Sequence, residues 1–393
     1  MSKKPKNIQL KISLLGHAYN DIYLFIIPLL LPFFRLEFAF TYFQSGLILA
    51  IHVALRSIFS LIFGFLGDHY DHKHLFISFG FALSSILLGS IAFISNMPFI
   101  IAVLLLLAIS VSTFHPLATA MIGDSAKLNK QGRDLSLFNV AGTLGLSIMS
   151  LTFGWLVQFW GWRIACLIIS LPGFLLAFGY AKLKNKTQHK NVSPEEMPNK
   201  KIFITYFLSH GLCGLGTWTI LSFLPVYATD HIGIRADISA WFLTIFVVSE
   251  LSGSLIMSKI IDKKNPLKLI LFATISLAVL IFALTCSTVP MIVAIIVVTM
   301  GLTQGCYYPS QHTWLATVSS NRTRGKIFGF LFFVEGISAT VAPFLYGWLA
   351  DQVGLVYAYR LASIPLFISF LLYTSLYYMT KKYTATRINT IKN

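Results

Sequence analysis

The amino-acid sequence predicts an all-α membrane protein with twelve transmembrane helices in two pseudo-symmetric six-helix bundles. Of its 393 residues, 56% are hydrophobic and only 11% are charged, whereas soluble domains carry about 25% charged residues. The mean hydropathy is +0.75. Apolar segments of roughly 20 residues, the length needed to cross a bilayer, recur along the whole chain. The second half also repeats the first at a constant spacing, which predicts two bundles of similar architecture.

Each apolar segment is bounded by polar or turn-forming residues. Twelve of them follow in order, starting near Ser13, Phe43, Leu75, Met97, Leu135, Trp162, Ile202, Ile238, Leu267, Val289, Gly325 and Val356. A polar, charged stretch separates the sixth segment from the seventh. It predicts an N-terminal bundle at 1–181, a cytoplasmic linker at 182–201 and a C-terminal bundle at 202–393. The first segment lacks a small-residue cleavage site, so we expect it to remain as a span.

An internal repeat relates the two halves at an offset of 193 positions, as from His17 to His210. Other residues with positional demands align at the same offset: Pro32 with Pro225, Pro116 with Pro309, Gly132 with Gly325, and Gly154-Trp155-Leu156 with Gly347-Trp348-Leu349. A polytopic membrane chain with two parallel repeats is typical of transporters, in which the substrate path lies between the halves. The repeat therefore favours a transport function.

The net charge of +16 reflects orientation in the membrane and not nucleic-acid binding. If the N-terminus is cytoplasmic, most of the 30 basic residues fall in cytoplasmic segments, as the positive-inside rule predicts. Only Arg35, Arg163, Arg235 and Arg360 fall on the outside. We therefore expect a multi-pass protein of the bacterial inner (plasma) membrane with both termini in the cytoplasm.

The sequence predicts no enzyme, metal site or cofactor. The four cysteines lie in apolar segments without metal-ligand spacing, which is typical of small packing residues. No carboxylate pair, metal-ligand spacing or nucleophile constellation stands at a membrane face, so no catalytic residue is assigned.

The segment from Gly64 to Lys73 reads GFLGDHYDHK and follows the second apolar segment. A short cytoplasmic loop that begins with glycine and carries Asp68 and a basic residue resembles the loop signature of the major facilitator superfamily. The resemblance implies that the glycine permits close helix approach and that the aspartate holds a cytoplasmic gate closed. A weaker copy surrounds Asp262, and Arg133 is expected to anchor the gate after segment four. The alternative is a polar turn with a solvated aspartate.

Three further motifs occur in the first half: Gly-His-Ala-Tyr-Asn-Asp at 16–21, Phe-His-Pro at 114–116, and the glycine-containing run at 138–145. Together they resemble the fosmidomycin-resistance branch of the superfamily, which exports small molecules. Candidate substrate- and proton-binding residues from these motifs are His17, Asn20, His115 and Asn139. For each histidine, a satisfied hydrogen bond between helices is the alternative role.

Ionisable residues inside membrane spans are costly and point to function. Asp21 and Arg56 lie at similar depths, roughly 12 and 15 Å from the same membrane face at about 1.5 Å per residue. They could pair with each other, Arg56 could bind an anionic substrate, or the pair could be structural. In the second half, Glu250 and Glu335 are each expected to carry a proton, to bind a cationic group, or to be satisfied by backbone groups.

The function predicted from these residues is secondary active transport by rocking of the two halves about a midplane site. We expect export of a small polar or amphipathic molecule, such as a drug, antibiotic or siderophore-like metabolite. Inward-moving protons would compete with substrate for Asp21 or a nearby carboxylate. Partners are the substrate, protons and the lipid bilayer, and the chain is expected to be a monomer. The alternatives are a proton-coupled uptake symporter, with Arg56 and Glu250 binding substrate, and a transport-inactive membrane sensor or partner protein.

Overall fold

The computed structural model describes residues 4–70, 72–125, 131–183, 200–261, 264–318 and 324–392. Within these ranges every regular element is helical. The first six α-helices are α1 Lys4–Phe38, α2 Tyr42–His69, α3 Lys73–Ser90, α4 Met97–Val111, α5 Phe114–Ser125 and α6 Gln131–Ala181. The remaining six are α7 Lys200–Asp230, α8 Ala236–Ile260, α9 Pro266–Leu284, α10 Pro290–Val318, α11 Arg324–Val353 and α12 Leu355–Lys392.

Ten helical stretches in the described ranges are long and apolar enough to cross a membrane. One of them combines α4 and α5 as Met97–Ile122, and another, Val140–Ala181, has 42 residues. At about 1.5 Å per residue, the second is roughly 63 Å long, twice the thickness of a hydrocarbon core. Gly161, with φ 76° and ψ 164°, divides it into two arms. Counting both arms of α6 separately gives eleven. The twelfth predicted span, in the 35-residue helix α1, is not among these stretches and stays a prediction.

Spatial contacts divide the chain into two compact units. The first unit comprises Met1–Phe40, Ile51–Lys190 and Ile234–Thr244, and the second comprises Thr41–Ala50, Asn191–Gly233 and Ile245–Asn393. The predicted boundary between two bundles lies in the linker, most of which falls outside the described residues. The division into 1–181, 182–201 and 202–393 therefore stays a prediction.

The first unit is organised by the packing of α6 against α1 and α3. Glycines allow this close approach, because a Cβ at Gly145 would clash with the backbone of Ala18 on α1. Large aromatic side chains fill the same unit and are almost completely buried: Tyr23, Phe34, Phe114, Phe153 and Tyr180. The resulting core holds α1 at a fixed position against α6, and α1 carries most of the candidate site.

The second unit is organised around α7, α9 and α12, with α10 packed on α9 and α11 packed on α7. Its fully buried large side chains are mainly tyrosines: Tyr206, Tyr227, Tyr307, Tyr359 and Tyr373. Because each tyrosine brings a hydroxyl group into the interior, this core is more polar than one built from phenylalanine. The two units thus share an architecture and differ in the chemistry of their interiors.

Replacing Gly145 by alanine should destabilise the protein, because the added methyl group meets the backbone of Ala18 and the helices must separate. Overpacking of this kind typically costs about 1–3 kcal/mol. Gly179→Ala, on the same pair of helices, is the matched control, since its Cβ would lie 3.9 Å from the nearest atom, Cδ1 of Ile12. Thermal unfolding of the detergent-purified protein should show a lower Tm for Gly145→Ala alone. Equal Tm values would contradict the close packing of α1 on α6.

Candidate functional site

Three polar residues of α1 lie on one face of the helix. His17, Asn20 and Asp21 are spaced i, i+3 and i+4, so their side chains project over the same surface. His115, near the start of α5, lies against this surface. Its Nε2 is 3.1 Å from Nε2 of His17 and 3.5 Å from Oδ1 of Asp21. Nε2 of His17 is also 3.5 Å from Oδ2 of Asp21. We call His17, Asp21 and His115 the first-unit triad.

Contacts with neighbouring groups fix the orientation of both histidines. Nδ1 of His17 donates a hydrogen bond to the carbonyl oxygen of Phe138, at 2.6 Å, and the Phe138 ring stacks on the imidazole at 3.9 Å. Since a carbonyl oxygen only accepts, the proton of a neutral His17 is on Nδ1 and the lone pair of Nε2 points into the triad. Nδ1 of His115 lies 3.2 Å from the side-chain amide of Asn20.

The triad is mostly buried but not closed. The side chains of His17 and Asp21 are 8% and 15% exposed, whereas that of His115 is 38% exposed, so His115 marks the open side. A carboxylate in an apolar interior is costly unless positive charge or hydrogen bonds compensate for the lost hydration. Oδ1 of Asp21 is buried without a hydrogen-bond donor. Arg56 of α2 interacts electrostatically with both Asp21 and His115 and supplies part of the compensation.

Gly142 on α6 provides the space for this arrangement. A Cβ at this position would lie 2.6 Å from Oδ2 of Asp21 and 2.8 Å from Nε2 of His17. Any other residue would therefore displace the triad. The neighbouring candidate Asn139 belongs to the same helix, but its side chain lies outside the part that the structure describes.

The second unit holds a cluster of different composition. The hydroxyl of Tyr308 on α10 donates to Oε1 of Glu335 on α11, at 3.2 Å. Glu250 on α8 is close enough for its charge to interact with that of Glu335. Close packing of α8 on α10 supports this cluster, because a Cβ at Gly305 would clash with the backbone oxygen of Glu250. Two of the predicted site residues, Glu250 and Glu335, thus interact electrostatically.

A chain of buried polar groups lies in the same unit. The hydroxyl of Tyr307 is 3.0 Å from that of Tyr373 and 3.1 Å from Nδ1 of His210. The side-chain amide of Gln311 donates to the same nitrogen at 2.5 Å. The sequence does not predict roles for these tyrosines or for Tyr308. The signal that could find Tyr308 is the repeat, since it occupies the position of His115 at the offset of 193.

The predicted gating residues are only partly described. Gly64 does not require a glycine, because its Cβ would lie 3.6 Å from the nearest atom, Cβ of Pro116, which is an ordinary contact. A Cβ at Gly67 would meet Cδ2 of Leu117, the flexible end of that side chain. The gating role of Gly64 stays a prediction. Lys73 is buried at the start of α3. The side chains of Asp68 and Arg133, and all of Asp262, lie outside the described residues.

The helical architecture and these intramembrane polar clusters agree with a comparison against protein families. The model of the Major Facilitator Superfamily matches residues 14–208 and 206–392, and the chain belongs to this family. It is therefore a membrane transport protein and not an enzyme. The predicted fold class is confirmed.

Proteins of similar sequence include multidrug resistance protein MdtG of Escherichia fergusonii, 24% identical over 325 residues, which cover 79% of this chain and 78% of MdtG. The multi-drug resistance efflux pump PmrA of Streptococcus pneumoniae is 24% identical over 332 residues, 79% of this chain and 80% of PmrA. Both relatives are named for multidrug resistance, and PmrA is also named as an efflux pump.

Solved structures of other transporters share the fold. A bacterial homologue of the human lysosomal transporter Spinster, inward-facing and occupied, matches with a TM-score of 0.80 at 14% identity, covering 96% of this chain and 97% of its own. The nucleoside transporter NupG matches with a TM-score of 0.77 at 11% identity, covering 94% and 99%. At these identities the likeness shows the fold alone.

Replacing Tyr307 by phenylalanine should destabilise the second unit, because Tyr373 loses its hydroxyl partner and His210 loses one of two contacts at Nδ1. A buried polar group left unsatisfied costs about 1–3 kcal/mol. The control is Tyr378→Phe, since the side chain of Tyr378 is 64% exposed. Thermal unfolding in detergent should give a lower Tm for Tyr307→Phe than for the control. Identical values would show that the chain of hydroxyls adds no stability.

Proposed function

We propose that this chain exports a small polar or amphipathic molecule, such as a drug, antibiotic or siderophore-like metabolite, in exchange for inward-moving protons. Two half-buried clusters that contain carboxylates, one in each unit, carry this function. Export of drug-like compounds is supported by similarity to the multidrug resistance protein MdtG and the efflux pump PmrA, and by motifs that resemble the fosmidomycin-resistance branch. The setting is the inner membrane of a bacterium, with both termini in the cytoplasm and the monomer as the working form.

The acidic pair in the second unit is the better candidate for carrying the proton. Glu250 and Glu335 interact as like charges when both are ionised, and one proton on the pair removes the repulsion. Tyr308 holds Glu335 in place through the hydrogen bond to Oε1. In contrast, Asp21 is flanked by two imidazoles and lies within the field of Arg56. This difference favours proton exchange at the glutamates and substrate contact at the first-unit triad.

The first unit offers substrate three kinds of contact. Asp21 accepts hydrogen bonds or binds a cationic group, Asn20 both donates and accepts, and Arg56 suits an anionic group with its planar guanidinium. His115 is the most accessible of the candidate groups in the triad. Exchange then requires only that protons and substrate favour different states of the transporter.

Proton-driven export should be lost in Glu335→Gln, which keeps the shape of the side chain and removes its exchangeable proton. The assay uses inside-out vesicles with an acidified lumen and a panel of antibiotics, siderophores and anionic metabolites. In the wild type, a transported compound should trigger proton release from the lumen. The variant should lose this release and retain exchange of labelled for unlabelled substrate. Asp237→Asn is the control, because Asp237 pairs with Arg235 at the start of α8.

Two outcomes would contradict the proposal. Full proton-driven export by Glu335→Gln would show that this glutamate does not carry the proton, and Glu250→Gln and Asp21→Asn would then be compared. Protons that enter the lumen together with substrate, or leave together with it, would identify a symporter and support the uptake alternative.

A further inference from the structure

Three potential metal ligands of the first unit converge on one point. The Nε2 atoms of His17 and His115 are 3.1 Å apart, and each lies 3.5 Å from a different oxygen of Asp21, Oδ2 for His17 and Oδ1 for His115. With one ligand atom from each residue, the three atoms lie within 4.8 Å of one another. In a tetrahedral site with ligands about 2.0–2.1 Å from the ion, neighbouring ligand atoms are roughly 3.3 Å apart. We propose that the first-unit triad binds a divalent transition-metal ion such as Zn²⁺ or Co²⁺.

The orientation of His17 is the one found in metal sites. A ligating histidine commonly donates its second ring N–H to a backbone carbonyl or carboxylate, which fixes the tautomer and directs the other nitrogen at the metal. His17 does this through Nδ1 and the carbonyl oxygen of Phe138. His115 has Asn20 at its Nδ1. Rotating the amide of Asn20 by half a turn presents its oxygen to Nδ1–H, and Nε2 of His115 then also carries a lone pair toward the triad.

The hydrogen bonds of the triad leave one oxygen of Asp21 unsatisfied. With neutral imidazoles, Nε2 of His17 accepts from Nε2–H of His115, and Oδ1 of Asp21 is buried without a hydrogen-bond donor. A cation that replaces this proton between the two Nε2 atoms would also compensate the charge of Asp21. Gly142 leaves the space beside these atoms open, since a Cβ there would lie within 2.8 Å of both side chains. Arg56 repels a cation, so the affinity should be moderate and not that of a closed structural site.

The donor set selects the class of metal. Two imidazoles and one carboxylate suit Zn²⁺, Co²⁺ or Ni²⁺, whereas Ca²⁺ and Mg²⁺ prefer oxygen ligands alone. Three protein ligands leave at least one coordination position open, as in sites where a metal contacts a further ligand. Since His115 is 38% exposed, the ion can reach the triad from that side. The ligand spacing is not readable from sequence, because His115 comes from a different helix.

Metal binding is tested on the full-length protein in detergent, purified through a tag without histidine and treated with EDTA. Equilibrium dialysis against Co²⁺ at neutral pH should give one saturable equivalent per chain, with visible d–d bands of nitrogen–oxygen coordination. Zn²⁺ should displace the Co²⁺. Asp21→Asn should weaken binding at least tenfold, since the isosteric amide keeps the shape of the side chain and removes the anionic ligand. Asn20→Ala, which keeps all three ligands and removes the group at Nδ1 of His115, should weaken it about 10- to 100-fold.

His231→Ala is the control for adventitious binding, because His231 lies in the turn after α7 and is not a member of the triad, and the variant should bind like the wild type. Gly142→Ala retains every ligand and fills the space beside them, so it should also lose the Co²⁺ bands. Absence of a saturable equivalent in the wild type would overturn the proposal, as would equal binding by wild type and Asp21→Asn. No proton gradient is present in this assay, so failure here would leave proton-coupled export untouched.

Discussion

The carboxylate of Asp21 inside an apolar helical bundle is the constraint on which the arrangement of the first unit depends. Its lost hydration must be compensated by groups within the bundle. One partner, His17, comes from the preceding turn of α1, whereas His115 and Arg56 come from other helices. Gly142 and Gly145 bring α6 close enough to enclose the group. In this unit, the same close packing of the helices therefore also forms the site, because small residues lie beside large polar ones.

Because of the repeat, the polar residues of the first unit can be compared with those at the equivalent positions of the second unit. At the offset of 193, His17 corresponds to His210, His115 to Tyr308, and Gly142 to Glu335, while Asp21 corresponds to Gly214. The carboxylate and the glycine have thus exchanged helices between the two units. In both units the carboxylate meets the side chain at the equivalent position of the fourth span, His115 or Tyr308. The two units thus repeat the same arrangement of helices, but they carry different polar residues at the equivalent positions.

Because the same backbone architecture can carry different polar groups, the fold by itself says little about the substrate. Transporters at 11% and 14% identity share the architecture over nearly the whole chain, and a common fold hosts many functions. Sequence similarity to the multidrug resistance proteins MdtG and PmrA is also distant, at 24%. The chemistry of this chain depends on the side chains inside each unit: two imidazoles facing a carboxylate in one, and two carboxylates beside a tyrosine in the other.

The sequence by itself determined the membrane spans and the repeat, because hydropathy and turn residues act locally: the predicted starts at Met97, Leu267 and Val356 lie within a residue of the observed helix starts. It also determined that His17 and Asp21 share a helix face, since i and i+4 are neighbours. Only the tertiary structure decided that His115 completes the triad across 98 positions and that Tyr308 meets Glu335. Such contacts depend on the depth and rotation of helices against one another, which are set by the packing of many distant side chains and not by any local pattern.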